Sequence, residues 1–161
     1  MVTEKIGFGG GCHWCTEAVF ASLKGVNKVE QGWISSEPPN EVLSEAVLVH
    51  FNPSIISLSI LIEIHLLTHA SASNHSMRDK YRSAVYSFSD NDEKAMRSLE
   101  TLSERFDSPL MTRVLPFVSF ESSPEKYQDY YQKNQGKPFC ETHINPKLQL
   151  LMQEFRSHVK A

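Results

Sequence analysis

Two thiols and a tryptophan fall within one short stretch, Gly9-Gly10-Gly11-Cys12-His13-Trp14-Cys15-Thr16-Glu17. A cysteine attacks as its thiolate, and the unpaired N–H groups and positive dipole end of a helix N-terminus lower a thiol pKa. The glycine run followed by Glu17-Ala18-Val19-Phe20-Ala21-Ser22-Leu23 reads as a strand end, a tight backbone passage and the first turn of a helix, which places Cys12 at that N-terminus. Cys15 has the C-x-x-C spacing at which a second thiol traps an oxidised first one as a disulfide in an α/β setting. Trp14 between them offers a broad apolar face beside the sulfur. The blander reading makes the glycines a turn and Cys12 a small buried hydrophobe; it explains each residue singly but not the three features together. Another chemistry fits the same residue types: Cys12-x-x-Cys15 with Cys140-x-x-His143 has the paired ligands of a structural zinc site, although a glycine-led helix start is unlike a zinc knuckle.

The elements that must position these residues follow from composition and pattern. At 161 residues the chain has the length of one domain with a real core, spanning 1–161. Sixteen Lys and Arg against 19 Asp and Glu, with no basic run, exclude a phosphate backbone as partner. No stretch approaches the roughly 20 apolar residues of a membrane span, and Met1-Val2-Thr3-Glu4-Lys5 lacks an apolar signal core. The expectation is therefore no nucleic acid, no membrane and a cytoplasmic location. Three cysteines are too few for a disulfide framework and suit a reducing compartment.

Lys5 to Phe8 reads as a strand, and the helix after Cys12 is expected to end at Lys24-Gly25. Val26 to Trp33 and Ala46 to Phe51 read as antiparallel neighbours, and Ile55 to Thr68 as a buried helix. His69 to Lys80 is polar and small, a loop into a strand from Tyr81 to Phe88; Asp92 to Phe106 is a charged helix capped by Ser89-Asp90-Asn91. Met111 to Phe120 is one strand-like run interrupted at Pro116, an edge or a bend. A tyrosine-rich helix from Pro124 to Asn134, an irregular passage from Phe139 to Ile144 and a final helix from Pro146 to Val159 complete the chain, with Leu148, Leu151, Met152 and Phe155 as a core stripe.

Gly10-Gly11-Cys12-His13-Trp14-Cys15-Thr16-Glu17-Ala18 resembles the Gly-Gly-Cys-Phe-Trp signature of the A-type peptide methionine sulfoxide reductases. Gly25-Val26 with Gly32-Trp33, Ser44-Glu45-Ala46-Val47, Tyr81-Arg82-Ser83-Ala84-Val85 and Glu125 to Asn134 resemble later segments of that family, in its order. The resemblance implies an α+β single domain, a mixed or antiparallel sheet flanked by helices with the ferredoxin-like architecture of those enzymes. It also implies reduction of methionine S-sulfoxide, free or in peptides and oxidised proteins, which reverses an oxidation that makes an apolar thioether polar and chiral. Cys12 would be the nucleophile, Glu45 the acid that protonates the sulfoxide oxygen, and Tyr81 a further hydrogen-bond donor to it. His13, Trp14 and Trp33 would bind substrate. Cys140 or Cys15 would resolve the Cys12 sulfenic acid, with no bound cofactor and thioredoxin as the external thiol reductant.

The departures define what is particular to this chain. His13 stands where the family has phenylalanine, Trp33 where it has tyrosine, Ser76 where it has aspartate and Gln128 where it has histidine; the Ile34–Leu43 connection is shorter. A thiol redox sensor on the same fold, keeping Cys12 oxidation and dropping Glu45 catalysis, is the alternative of a different class.

Overall fold

The computed structural model describes residues 3–10, 13–68, 82–106, 110, 112–134 and 136–160. Strand β1 (Glu4–Gly9) leads to helix α1 (His13–Ala21), followed by the long strands β2 (Val26–Ser35) and β3 (Ser44–Phe51), helix α2 (Leu58–Thr68), strand β4 (Ala84–Ser87) and helix α3 (Asp92–Ser103). Strands β5 (Arg113–Pro116) and β6 (Ser119–Ser122) then precede the short helix α4 (Tyr130–Lys133) and helix α5 (Asn145–Glu154). The class is the expected α+β, with a six-stranded sheet in the order β5-β4-β1-β3-β2-β6. Every pairing is antiparallel except β4–β5, and β2 and β3 are neighbours as expected.

The run from Met111 to Phe120 is not one interrupted strand. It makes two strands on opposite edges of the sheet. In a flat sheet of this width those edges would stand roughly 24 Å apart, since strands are spaced at about 4.8 Å. The passage from Pro116 to Ser119 can cover only about 11 Å. The sheet must therefore curl until its edges meet, and the backbone shows the closure: the Phe117 N–H donates to Ser87 O of β4 (2.9 Å), and the next N–H, Val118, donates to Ser35 O of β2 (3.1 Å). Ser36 Oγ donates to Pro116 O at 2.6 Å across the same seam.

Strand alternation sorts the side chains onto two faces. Ile6, Phe8, Val47, Val49 and Phe51 face outward, packed under Val19 and Phe20 of α1, Leu61, Ile62 and Ile64 of α2, and Leu151 and Phe155. Ile34, Ala46, Leu48, Ala84 and Tyr86 fill the inside of the curl with Phe117 and Phe120. Each fully buried side chain of this size contributes about 1.5–3 kcal/mol, so the outer cluster, which seats α1, holds the fold together.

Other expectations shift in detail. Helix α1 stops at Ala21 rather than at Lys24-Gly25; Gly25, with φ +88°, instead turns the chain into β2, where a Cβ would sit 2.9 Å from Ile55 and Ile56 methyl carbons. Asn91 precedes α3 without capping it through its side chain, which accepts from Phe88 N–H and donates to Lys5 O. The tyrosine-rich segment is broken into a 3-10 turn at Glu125–Tyr127 and α4, because Asp129 adopts a left-handed conformation (φ 56°). The passage from Phe139 to Ile144 is helical, a π-turn at Cys140–Ile144 that runs directly into α5. Along α5 the stripe is Leu148, Leu151 and Phe155, whereas Met152 at its flank is 47% exposed. His69 to Lys80 and Tyr81 lie outside the described residues.

Candidate active site

Cys12 lies outside the described residues, between Gly10 at the end of β1 and His13, the first residue of α1. Its described neighbours define the setting. Trp33 and Glu45 are direct cross-strand partners on β2 and β3, on the sheet face that α1 covers. Glu45 is buried (8% exposed) rather than an exposed strand residue, and accepts the main-chain N–H of His13 at 3.2 Å through Oε1. A carboxyl group thus sits against the first N–H of the helix, at the residue next to Cys12.

His13 is buried as well, not turned to solvent. Its Nδ1 stands 2.9 Å from Gly32 O. A carbonyl only accepts, so Nδ1 carries a hydrogen and Nε2 is the nitrogen left to take up or give a proton. Nε2 faces Glu45 Oε1 at 3.6 Å. The imidazole also meets the Trp33 ring edge-on, with centroids 5.3 Å apart. Trp14, its ring centroid 6.3 Å from that of His13, stacks on Tyr130 (centroids 3.9 Å, planes 5° apart) with Phe139 against its edge. The Trp14 Nε1–H is buried with no hydrogen-bond partner among the described residues.

Cys15 and Cys140, far apart in sequence, share one apolar cluster with Ala18 and Ile144, and neither is in a disulfide. Cys140 is fully buried, and loss of solvent pushes its thiol pKa up. His143, the fourth residue of the zinc alternative, is exposed and lies against the Phe139 ring. Among the described residues no three His, Cys, Asp or Glu side chains are grouped to hold a metal ion. No described helix is long and apolar enough to cross a membrane.

Three supporting residues escaped the sequence reading. Glu17 is buried on α1, where its carboxylate accepts Asp129 N–H (2.7 Å), Tyr130 N–H (3.1 Å) and Gln31 Nε2–H (2.7 Å). It thereby caps α4 and holds Tyr130 where Trp14 stacks on it. Burial, opposed by these hydrogen bonds, raises its pKa above the usual glutamate value. The signal was available: Glu17 is the one acidic residue in the otherwise apolar and polar-neutral α1. Gln128 works beside it, accepting Gln31 N–H at 3.0 Å and donating to Gln31 O at 2.8 Å, as an added strand would along β2. Arg82, next to Tyr81 and itself buried, donates to Val42 O, Ile34 O and the Tyr86 hydroxyl, while its N–H donates to Ser44 Oγ. One side chain thus clamps the entry to β4 onto β2, β3 and the connection between them.

A family model described as peptide methionine sulfoxide reductase matches residues 4–159. The peptide methionine sulfoxide reductase MsrA of Sulfolobus acidocaldarius is 32% identical over 94% of this chain and 95% of its own. That of Deinococcus radiodurans is 35% identical over 94% of this chain and 82% of its own. The fold is similar to that of reduced Mxr1 from Saccharomyces cerevisiae, with a TM-score of 0.74 at 23% identity over 88% of this chain and 91% of that one. Another structure of Mxr1, in complex with Trx2, superposes with a TM-score of 0.61 at 20% identity over 80% of this chain and 84% of that one. With its glycine-led α1, its buried Glu45 and this match along almost its whole length, the chain belongs to the peptide methionine sulfoxide reductase family.

Proposed function

We propose that this chain, acting as one domain over residues 1–161, reduces methionine S-sulfoxide, free or in oxidised peptides and proteins, to methionine. The observation that carries the reading is the buried carboxyl of Glu45 held 3.2 Å from the main-chain N–H of His13, the residue adjoining Cys12. A sulfoxide oxygen leaves only after it gains a proton, and a buried carboxyl is an acid suited to supply one. The Cys12 thiolate bonds to oxygen-bearing sulfur while Glu45, in its protonated form, gives its proton to that oxygen, with Tyr81 as a second donor. The hydroxyl so formed passes to the Cys12 sulfur as the substrate S–O bond and the Cys12–substrate S–S bond break; methionine departs, two electrons have passed from the Cys12 sulfur to the substrate sulfur, and Cys12 holds the oxygen as a sulfenic acid. Trp14 and Trp33, with His13, form the aromatic wall for the substrate methyl group.

Cys15 follows Cys12 by three residues in the sequence, and its thiol condenses with the sulfenic acid to give a disulfide and water. Its packing with Cys140 supports a relay in which Cys140 takes over the bond to Cys15 and frees Cys12. Cys140 is fully buried, so this transfer needs the segment that carries it to open. An external dithiol protein of the thioredoxin kind then returns the chain to its thiol form without a bound cofactor; the yeast relative's complex with Trx2 is the support for that partner. The setting is the cytoplasm.

The test is turnover of a methyl-sulfoxide peptide of each sulfur epimer in the presence of dithiothreitol, for wild type and Cys12→Ser. Turnover of the S epimer alone, lost in the variant, is expected. Turnover of neither epimer while Cys12 remains peroxide-sensitive would replace this reading with the thiol sensor.

A further inference from the structure

Where its relatives' signature carries a phenylalanine, this chain places an imidazole, and its two nitrogens are in defined settings. Nδ1–H is committed to Gly32 O at 2.9 Å, which leaves Nε2 as an acceptor pointed at Glu45 Oε1, 3.6 Å away. The same Glu45 oxygen accepts the His13 main-chain N–H at 3.2 Å. Both side chains are buried, with 7% and 10% of their side-chain surfaces exposed. The groups facing the imidazole from each element packed on it are Glu45 of β3, the Gly32 carbonyl and Trp33 ring of β2, and the Trp14 ring of α1. Among the described residues Glu45 is thus the only charged side chain paired with His13.

Resting on the reductase reading above, we propose that His13 and Glu45 form a proton-sharing pair that holds the one proton delivered to the sulfoxide oxygen. His13 acts through Glu45 and is a positioning residue. The proton lies on the carboxyl, donated toward Nε2, or on Nε2, donated toward the carboxylate; either way the pair carries one proton and no net charge. The imidazole gives the proton a second site beside the carboxyl, so its delivery to the oxygen does not rest on the carboxyl alone. When the Cys12 thiolate bonds to the sulfoxide sulfur, the proton passes from Glu45 to oxygen and leaves a carboxylate beside a neutral imidazole. The separation is a few tenths of an ångström longer than a hydrogen bond, as acid and base partners commonly are before substrate closes the site.

The experiment compares wild type with His13→Asn, whose side-chain amide can keep the bond to Gly32 O while nothing remains at Nε2, and with His13→Gln, which restores a polar atom near that position. Single-turnover rates on the S epimer are measured from pH 5.5 to 8.5, and the Cys12 thiol pKa is followed separately by alkylation rate. The Asn variant, which also gives up the ring's contact with substrate, is expected to fall about a further tenfold behind wild type between pH 5.5 and pH 8, with an unchanged thiol pKa. Combined with Glu45→Gln it is expected to add no pH-dependent loss to that of Glu45→Gln alone. Profiles that overlie at every pH, a uniform loss at every pH, a further pH-dependent loss in the Glu45→Gln background, or a thiol pKa rising in step with the rate loss would each overturn the pair.

A second readout does not depend on turnover. Ring-nitrogen NMR of His13 is expected to show the Nδ1–H tautomer and a titration that moves when Glu45 becomes glutamine. An Nε2–H tautomer, or a titration indifferent to that change, refutes the pair. Absence of S-epimer turnover in the wild type would instead refute the reductase reading and leave the NMR result to decide the pair.

Discussion

Replacing Glu17 by glutamine tests the claim that α1 organises the site through its supports. The carboxylate accepts three donors, Gln31 Nε2–H, Asp129 N–H and Tyr130 N–H. An amide oxygen cannot serve all three in the same geometry, and the new amide N–H₂ confronts at least one donor. Two effects oppose each other. Removing the charge relieves a burial cost large enough to raise the Glu17 pKa, whereas the three charge-assisted bonds weaken by roughly 1 kcal/mol each and one orphaned donor costs a further ~1–3 kcal/mol. Because the pKa is raised, relief of burial offsets the weakened bonds, and the net cost comes from the orphaned donor; about 1 kcal/mol is expected, or a Tm lower by about 2–4 °C for a chain of this length.

The pH dependence has a definite sign. Glu17 binds its proton more tightly folded than unfolded, so its contribution to stability is fully present below the unfolded glutamate value and is lost as pH rises through the folded value. The stability gap between wild type and variant therefore widens on acidification in that window. Urea unfolding followed by circular dichroism at several pH values measures both effects, and tryptophan fluorescence reports the loosened Trp14–Tyr130 stack. A variant as stable as wild type at pH 7, or a gap that narrows on acidification, would refute the role assigned to Glu17.

Gly32→Ala is expected to cost about 2–4 kcal/mol, seen as a lower urea midpoint at unchanged slope, because its Cβ would stand 2.0 Å from Glu121 O and force β6 off β2. Arg82→Met should cost about 3 kcal/mol or more by leaving the Val42 and Ile34 carbonyls without their donor; thermal denaturation measures it, and equal stability would show that the clamp is dispensable. Cys140→Ser, at a fully buried position, is expected to leave the first turnover intact while slowing regeneration by a thioredoxin at least about tenfold; stopped-flow turnover with excess substrate separates the phases, and unchanged regeneration would remove Cys140 from the relay.

Local signals in the sequence were sufficient where one segment decides its own state. The glycine run into α1, the paired β2 and β3, and the apolar α2 depend on nearby residues and appear as expected. Closure of the sheet does not, because Met111 to Phe120 reads as a single run and only the Phe117 and Val118 bonds to opposite edges reveal two strands. The break before α4 has the same cause: it follows from Gln128 and Asp129 bonding to Gln31 and Glu17, more than 90 residues earlier. At the site, Glu45 was singled out through its resemblance to a family strand, and it is buried. His13 was legible as a departure, but its contact with Glu45 needs the register that sets Trp33 and Gly32 beside β3.

The central claim, that Cys12 reduces methionine S-sulfoxide and passes the oxidation to a second thiol, is tested most directly by single turnover without added reductant. Pre-reduced protein is mixed with excess S-epimer peptide, and methionine product and protein disulfide are counted together by mass spectrometry. Disulfide is expected in proportion to methionine formed, and neither in Cys12→Ser. Methionine formed equally by the Cys12→Ser variant, or no methionine from the wild type, would contradict the central claim.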